Sequence, residues 1–221
     1  MPRAWLEAEL AGAADDPASR VAGAGAAVSV AGSALLARGR EPSWVLRRAR
    51  PEGGFACLEL APAWLAGAVA VVSEAGLAGA AVFPAGEEHG SPCQGRFAAP
   101  ALLLVQDALH RVGSLAGVLE WCLRRPAGGR ATLLFGDATG AVAGVRVDGD
   151  ARRLLRPADG LLVAGGGREG ELGKALGEAD ALGPAALARA LGGPGAVLDP
   201  AVRRLGLCGA AGDLEWVALP A

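Results

Sequence analysis

Four cysteines, two histidines and a run of glycines are the residues of this chain whose chemistry is most readily named. Cys57, Cys93, Cys122 and Cys208 stand far apart, with no Cys-x-x-Cys pair. Only His89 and His110 accompany them, so no zinc-ligand spacing is present and no metal site is expected. An imidazole can activate a thiol for attack on a carbonyl. Cys57 or Cys122 with His110 would make such a pair if the fold brought them together. The commoner fate of a free cysteine is burial as a small apolar side chain. Asp107 and His110, three residues apart, share a face on a helix, a spacing that usually gives a solvated polar surface. No Gly-x-Ser-x-Gly or Ser-x-x-Lys motif occurs.

Gly165, Gly166, Gly167, Arg168, Glu169 and Gly170 fit Gly-x-Gly-x-x-Gly after an apolar run and before a helix-like one. Nucleotide or phosphate binding at such a loop would use the free N–H groups at a helix start. Against it, the preceding segments read as hairpins rather than β-α-β units. No carboxylate lies at the distance that would hold a ribose hydroxyl. With 35 glycines in the chain, a chance match is expected.

The elements that must position these residues are short. Trp5 to Ala14 has helical spacing. Val28, Val30, Leu35 and Leu36 suggest strands around a turn at Gly32-Ser33. Val45 to Arg50 and Phe55 to Leu60 read as strands around Pro51-Glu52-Gly53-Gly54. Ala68 to Val72 and Leu77 to Phe83 flank a tight turn at Ser73-Glu74-Ala75-Gly76. Glu87 to Arg96 reads as a loop. Two amphipathic helices follow, one with Leu102, Val105, Leu109 and Val112 on a face, the other with Leu115, Val118, Leu119 and Cys122. Ser114 is placed to cap the second, Arg124 and Arg125 suit its C-terminal dipole, and Pro126 ends it. Thr132 to Phe135 and Val142 to Val147 read as strands around Asp137-Ala138-Thr139-Gly140, where Gly140 can take positive φ. Leu161 to Val163 reads as a strand and Pro184 to Leu191 as a helix with proline in its first turn. Asp199-Pro200 starts a brief helical turn. Leu205 to Cys208 and Leu214 to Leu219 form a last hairpin. Antiparallel strands with a few helices outside them make an α+β layered fold.

Composition bounds the rest. At 221 residues the chain is expected to form one domain, 1–221. Its net charge of −2 gives no footprint for nucleic acid. No apolar run is long enough to span a bilayer and no signal-peptide pattern opens the chain, so a cytoplasmic protein is expected, with no membrane partner. The chain has no Asn, Ile or Tyr. No asparagine amide can therefore act as an oxyanion donor.

Taken in order, these segments resemble the acyl-coenzyme A:6-aminopenicillanic acid acyltransferase family, the cysteine peptidase-like N-terminal-nucleophile (Ntn) hydrolases. The family's early Glu-x-Glu-Gly-hydrophobic-Ala helix is similar to Glu7-Ala8-Glu9-Leu10-Ala11-Gly12-Ala13-Ala14. Its Gly-Arg-Asn-x-Asp segment is nearest to Gly39-Arg40-Glu41-Pro42-Ser43. Its Asn-Glu-Ala-Gly-Leu turn is matched in four of five places by Ser73-Glu74-Ala75-Gly76-Leu77. Its helix pair, proline stop and Asp-Ala-x-Gly hairpin are matched through Asp137-Ala138-Thr139-Gly140. Where the family has Thr-Asn-His, this chain has Ala164-Gly165-Gly166-Gly167.

The resemblance implies an αββα four-layer sandwich of mainly antiparallel sheets, shortened in its N-terminal part. It implies transfer or cleavage of amide-bound acyl groups by a cysteine that self-cleavage makes N-terminal, its own α-amine serving as base. An asparagine in the oxyanion site meets the developing charge. This sequence departs at each point. No cysteine precedes Cys57. Ala24 takes the place equivalent to the nucleophile, and Glu41, Ser73, Gly165 or Gly166 take the asparagine places. With Glu74 these are the cleft candidates. The reading that follows is a degenerate relative: a binding or scaffold protein without cofactor, holding a small acyl-amide ligand or a protein partner, with self-assembly open. An active amide hydrolase or acyltransferase with a relocated nucleophile (Ser29, Ser33 or Cys57) is the alternative, with nucleotide or phosphate binding at Gly165–Gly170 behind it.

Overall fold

The computed structural model describes residues 19–24, 27–32, 44–63, 67–82, 99–101, 103–157, 161–165, 174, 183–191, 195–208 and 213–220. In chain order the elements begin with β1 (Ser19–Ala24), β2 (Ala27–Gly32), β3 (Trp44–Ala49), β4 (Cys57–Pro62), β5 (Ala70–Ser73) and β6 (Leu77–Val82). A short strand β7 (Ala99–Pro100) leads into α1 (Leu103–Arg111) and α2 (Leu115–Arg124), followed by β8 (Ala127–Gly128). Next come β9 (Arg130–Asp137), β10 (Val142–Asp148), β11 (Ala151–Leu155) and β12 (Leu161–Gly165). The chain then forms α3 (Pro184–Leu191), β13 (Gly195–Asp199), β14 (Arg204–Cys208) and β15 (Leu214–Ala218).

The strands build two antiparallel sheets. One has six strands in the order β12-β1-β2-β13-β14-β15, the other seven in the order β11-β10-β9-β6-β5-β4-β3. They pack face to face, with β1 and β2 over β6 and β9, and β13 over β5 and β6. Helix α3 covers the six-stranded sheet along β13, β2 and β1. Helices α1 and α2 cover the other sheet, α1 on β5 and β6 and α2 on β10 and β11. The layer order is therefore α-β-β-α, and the antiparallel αββα arrangement expected from the sequence is what the chain forms.

Central strands need residues that tolerate burial on both faces. Strands β5 and β6, Ala70-Val71-Val72-Ser73 and Leu77 to Val82, are buried along their whole length. Gly79 shows why small residues are used there. A Cβ added to it would stand 2.6 Å from the Phe135 ring, which lies over it from the paired position on β9. The hairpin between β5 and β6 turns on Gly76 at φ +75°, a conformation that costs glycine little. The β9–β10 turn is held by Asp137, whose Oδ1 accepts from Thr139 N at 2.9 Å and from Ala141 N at 3.1 Å. The N–H of Ala138 then reaches the Gly76 carbonyl and ties the two turns together.

The helix pair, the Ser114 cap and the final hairpin form as the sequence predicts. Strands β1 and β2 form a hairpin that the sequence reading did not place, paired antiparallel from Ser19↔Gly32 to Ala24↔Ala27. Gly32 ends β2, and Ser33 of the expected Gly32-Ser33 turn lies outside the described residues. Two local readings are corrected. At Asp199 a strand, β13, ends and a tight turn begins, with Arg203 at φ +53°. Strand β11 has no counterpart in the sequence reading, because Arg152, Arg153 and their neighbours lack apolar alternation; it forms as an edge strand on β10. The Trp5–Ala14 helix, the Leu35-Leu36 strand and the Glu87–Arg96 loop lie outside the described residues.

Candidate functional site

Register decides which candidate residues share a place. In the β1–β12 ladder Ala24 pairs with Leu161, whereas Gly165 pairs with Arg20. Four residue steps separate those rungs, on the order of 13 Å along the strand. On β2, Val28 pairs with Leu198 of β13, so the end of β13 lies beside the β1–β2 hairpin. Beyond it the Pro200 carbonyl oxygen comes within 3.7 Å of where a Gly76 Cβ would be. The Ser73–Gly76 turn therefore belongs to the Ala24 end of the sandwich. Gly165 belongs to the opposite end, beside the start of β1 at Ser19. Ser29 lies between, paired with Ala22 and Val197. Ser33, Glu41 and Gly166 lie outside the described residues. Gly165 ends an antiparallel edge strand, so the strand before the glycine run lacks the parallel neighbour of a β-α-β unit.

Ser73 and Glu74 act within the framework. The Ser73 hydroxyl is buried and accepts from Ala75 N at 3.2 Å. Glu74 accepts from Ala56 N at 2.9 Å and from Arg50 at 3.1 Å. The Ala56 hydrogen bond, foremost, holds its carboxyl below the ordinary range. Cys57 pairs with Ser73 across β4 and β5. Its thiol is buried under α1, 3.7 Å from the Leu109 carbonyl, and thus faces the helix layer. Burial pushes it up to about 12. Burial does the same to Cys122, also to about 12, and Cys208 is raised as well. A thiol that far from ionising is a poor nucleophile at neutral pH.

The densest polar cluster among the described residues lies two positions along β4 from Cys57. Glu59 has a side chain 2% exposed, set between the seven-stranded sheet and α1. Its Oε1 meets His110 Nε2 at 2.6 Å and accepts from Gln106 Nε2 at 2.9 Å. Its Oε2 is 3.2 Å from Arg47, on the neighbouring strand β3. Burial would raise the Glu59 carboxyl. The hydrogen bonds from His110 and Gln106 and the charges of His110 and Arg47 outweigh it, and the group is held below the ordinary range. Position explains the convergence. Cys57 and Glu59 alternate onto the helix side of β4, and Gln106 and His110 are one helical turn apart on α1.

Gln106 and His110 also line a cleft of about 510 Å³ with Leu103, Leu104, Asp107, Arg125 and Pro126. Asp107 is fully engaged at its edge. It takes Arg111 Nε at 2.7 Å, Trp121 Nε1 at 3.0 Å and Arg125 at 3.5 Å, and Arg125 lies over the Trp121 ring. Asp107 and His110 thus share the predicted helix face, but His110 turns to Glu59 rather than to a thiol. Glu59 itself was missed from sequence. The available signal was a carboxylate between Leu58 and Leu60 in a strand otherwise fit for the core. Among the described residues no group of His, Cys, Asp and Glu could hold a metal ion, and no helix is long and apolar enough to cross a membrane.

No family profile matches this chain, and no curated protein does. Solved structures do. Two single-site variants of conjugated bile acid hydrolase from Clostridium perfringens superpose with TM-scores of 0.60 at 10% identity. The matches cover 91% and 90% of this chain and 92% of each of those chains. These are Ntn-hydrolase structures, and at this identity the likeness establishes the fold.

Proposed function

We propose that this chain is a non-catalytic relative of the Ntn-type amidohydrolases and acyltransferases, acting as a binding or scaffold protein on their framework. One observation carries the reading. Cys57, the thiol nearest in sequence to the family's nucleophile, is sealed under α1 and pushed up to about 12. Strands β1 and β2 contain no cysteine. The oxyanion side fares no better, since the buried Ser73 side chain accepts from Ala75 N and is hydrogen-bonded to the Cys57 thiol, and Gly165 offers no side chain. What persists is framework: paired sheets, helix caps and turns.

Intact-mass spectrometry of the full-length protein tests this. The expected result is one uncleaved chain, silent in acyl-amide and thioester turnover assays. A mass matching self-cleavage to a new N-terminal residue would overturn the reading in favour of an active hydrolase, as would turnover abolished by Ser29→Ala, Ser33→Ala or Cys57→Ala.

A further inference from the structure

We propose that Thr132, Arg146 and Arg153, one row across β9, β10 and β11, form a binding site for the phosphate group of a soluble phosphomonoester. The site shares no residue with the candidate nucleophile and oxyanion positions, so it is independent of whether the chain is catalytic. Thr132 lies five positions along β9 from Asp137 at its turn, on the order of 17 Å away.

Register places the three side chains together. Arg146 of β10 pairs with Thr132 of β9 on one side and with Arg153 of β11 on the other. Residues paired in this way point to the same face, with neighbouring Cβ atoms about 4.5–5.5 Å apart. Two positions along, the paired Leu134, Gly144 and Leu155 identify that face. A Cβ on Gly144 would stand 3.2 Å from the Leu162 side chain of β12, so the row faces the six-stranded sheet. Thr132 is 8% exposed, whereas Arg146 and Arg153 are exposed. The row thus runs from the interior of the sandwich to its edge, since β11 ends its sheet among the described residues.

Two arginines directly opposite one another repel, a pairing that costs stability unless an anion answers it. Neither guanidinium has a hydrogen-bond or ion-pair partner among the described residues, and neither does the Thr132 hydroxyl. Neighbouring arginines are engaged: Arg130 meets Asp148 at 2.9 Å, and Arg152 donates to the carbonyls of Arg125 and Ala127. Asp148, the next residue on the Arg146 face, is thereby occupied. A hydroxyl nine-tenths buried and unpaired gains from a ligand acceptor. That of Thr132 is not fully enclosed, so it stays within reach from the edge. The donor set selects an oxyanion. A guanidinium keeps its charge at any working pH and presents its N–H groups in a planar fork. Two forks and a hydroxyl match the several oxygens of a phosphate dianion better than the two of a carboxylate. Two unpaired guanidiniums fall short of the roughly four to eight basic side chains that hold a protein to an anionic bilayer, which favours a soluble ester.

Glycerol 3-phosphate and acetate at matched ionic strength separate a phosphate site from diffuse charge. Glycerol 3-phosphate should raise the melting temperature of the full-length protein saturably, as a ligand of the native state does, with acetate at least about tenfold weaker. Thr132→Val should weaken glycerol 3-phosphate about tenfold, the ratio that one charge-assisted hydrogen bond of about 1.4 kcal/mol supplies. Arg153→Gln should melt higher than the wild type without ligand, because the repulsion is gone, and should lose the ligand-dependent rise. Phosphatidylcholine vesicles carrying phosphatidic acid should leave the protein in the supernatant. No saturable rise at millimolar glycerol 3-phosphate, an equal response to acetate, or an Arg153→Gln protein that still responds would each overturn the proposal. So would a lower melting point for ligand-free Arg153→Gln, which would mean the guanidinium is already satisfied within the protein, or co-sedimentation with the acidic vesicles. Arg153 is exposed, so its variant decides the matter if Thr132→Val does not fold.

Discussion

Glu59 is the residue on which most of the polar order of this molecule turns. Removing one partner of a buried ion pair strands the others, at about 3–5 kcal/mol. Because the Arg47 side chain is 32% exposed and partly solvated, Glu59→Gln should fall at the lower end of that range, read as a shifted urea midpoint at pH 7. The pH dependence has a defined sign. Glu59 is held below its unfolded value, so its stabilisation is fully present above about pH 4.3 and is lost as pH falls through the folded value. The gap between wild type and Glu59→Gln should accordingly narrow as unfolding is repeated at pH 4 and then pH 3. Thiol chemistry gives a second test at this scale. With pKa about 12, only on the order of one Cys57 or Cys122 in ten thousand is thiolate at pH 8. Mapped iodoacetamide labelling should spare both in the native protein and reach both in urea; fast native labelling of Cys57 would contradict the buried geometry described above.

Elements here are held by local chemistry that the sequence displays and by close approaches that it does not. Ser114 caps α2 as read from the chain, with Oγ accepting from Gly117 N at 3.3 Å. Ser114→Ala should cost about 1 kcal/mol, or a melting shift of roughly 2–4 °C for a chain of this size. Gly79 is the opposite case. Nothing in Leu77-Ala78-Gly79-Ala80 says that an aromatic ring will lie across that position. Gly79→Ala should nonetheless destabilise by about 1–3 kcal/mol, because the new methyl group meets Phe135 on β9 and Leu109 on α1. Calorimetry that found Gly79→Ala neutral would mean the ring can move aside. The same contrast runs through the turns: Asp137 and Gly76 were legible as turn residues, while the hydrogen bond from Ala138 to Gly76 that joins their hairpins was not.

At the scale of the whole molecule, two sheets share one apolar interior, with Val72, Ala80 and Leu134 from one and Ala196, Leu198 and Leu205 from the other in a single buried cluster. We expect the four layers to unfold as one unit. Trp121 reports on the helix layer and Trp216 on the six-stranded sheet, so their near-ultraviolet signals should disappear in urea together with the far-ultraviolet signal. Separate transitions would divide the layers into independent units. The sequence by itself determined the element types, the antiparallel hairpins and the layered class, because those rest on periodicity, caps and turn residues within a few positions of one another. It also determined that no cysteine stands on the first hairpin and that no asparagine exists to serve an oxyanion. Only the tertiary structure decided that Ala24 and Gly165 lie at opposite ends of one ladder, that Cys57 faces a helix, and that Glu59, Gln106, His110 and Arg47 meet. Those placements depend on strand register and on which face of β4 the helix covers. Register and coverage are set by pairings across 47 and 51 positions of chain, beyond the reach of any local pattern.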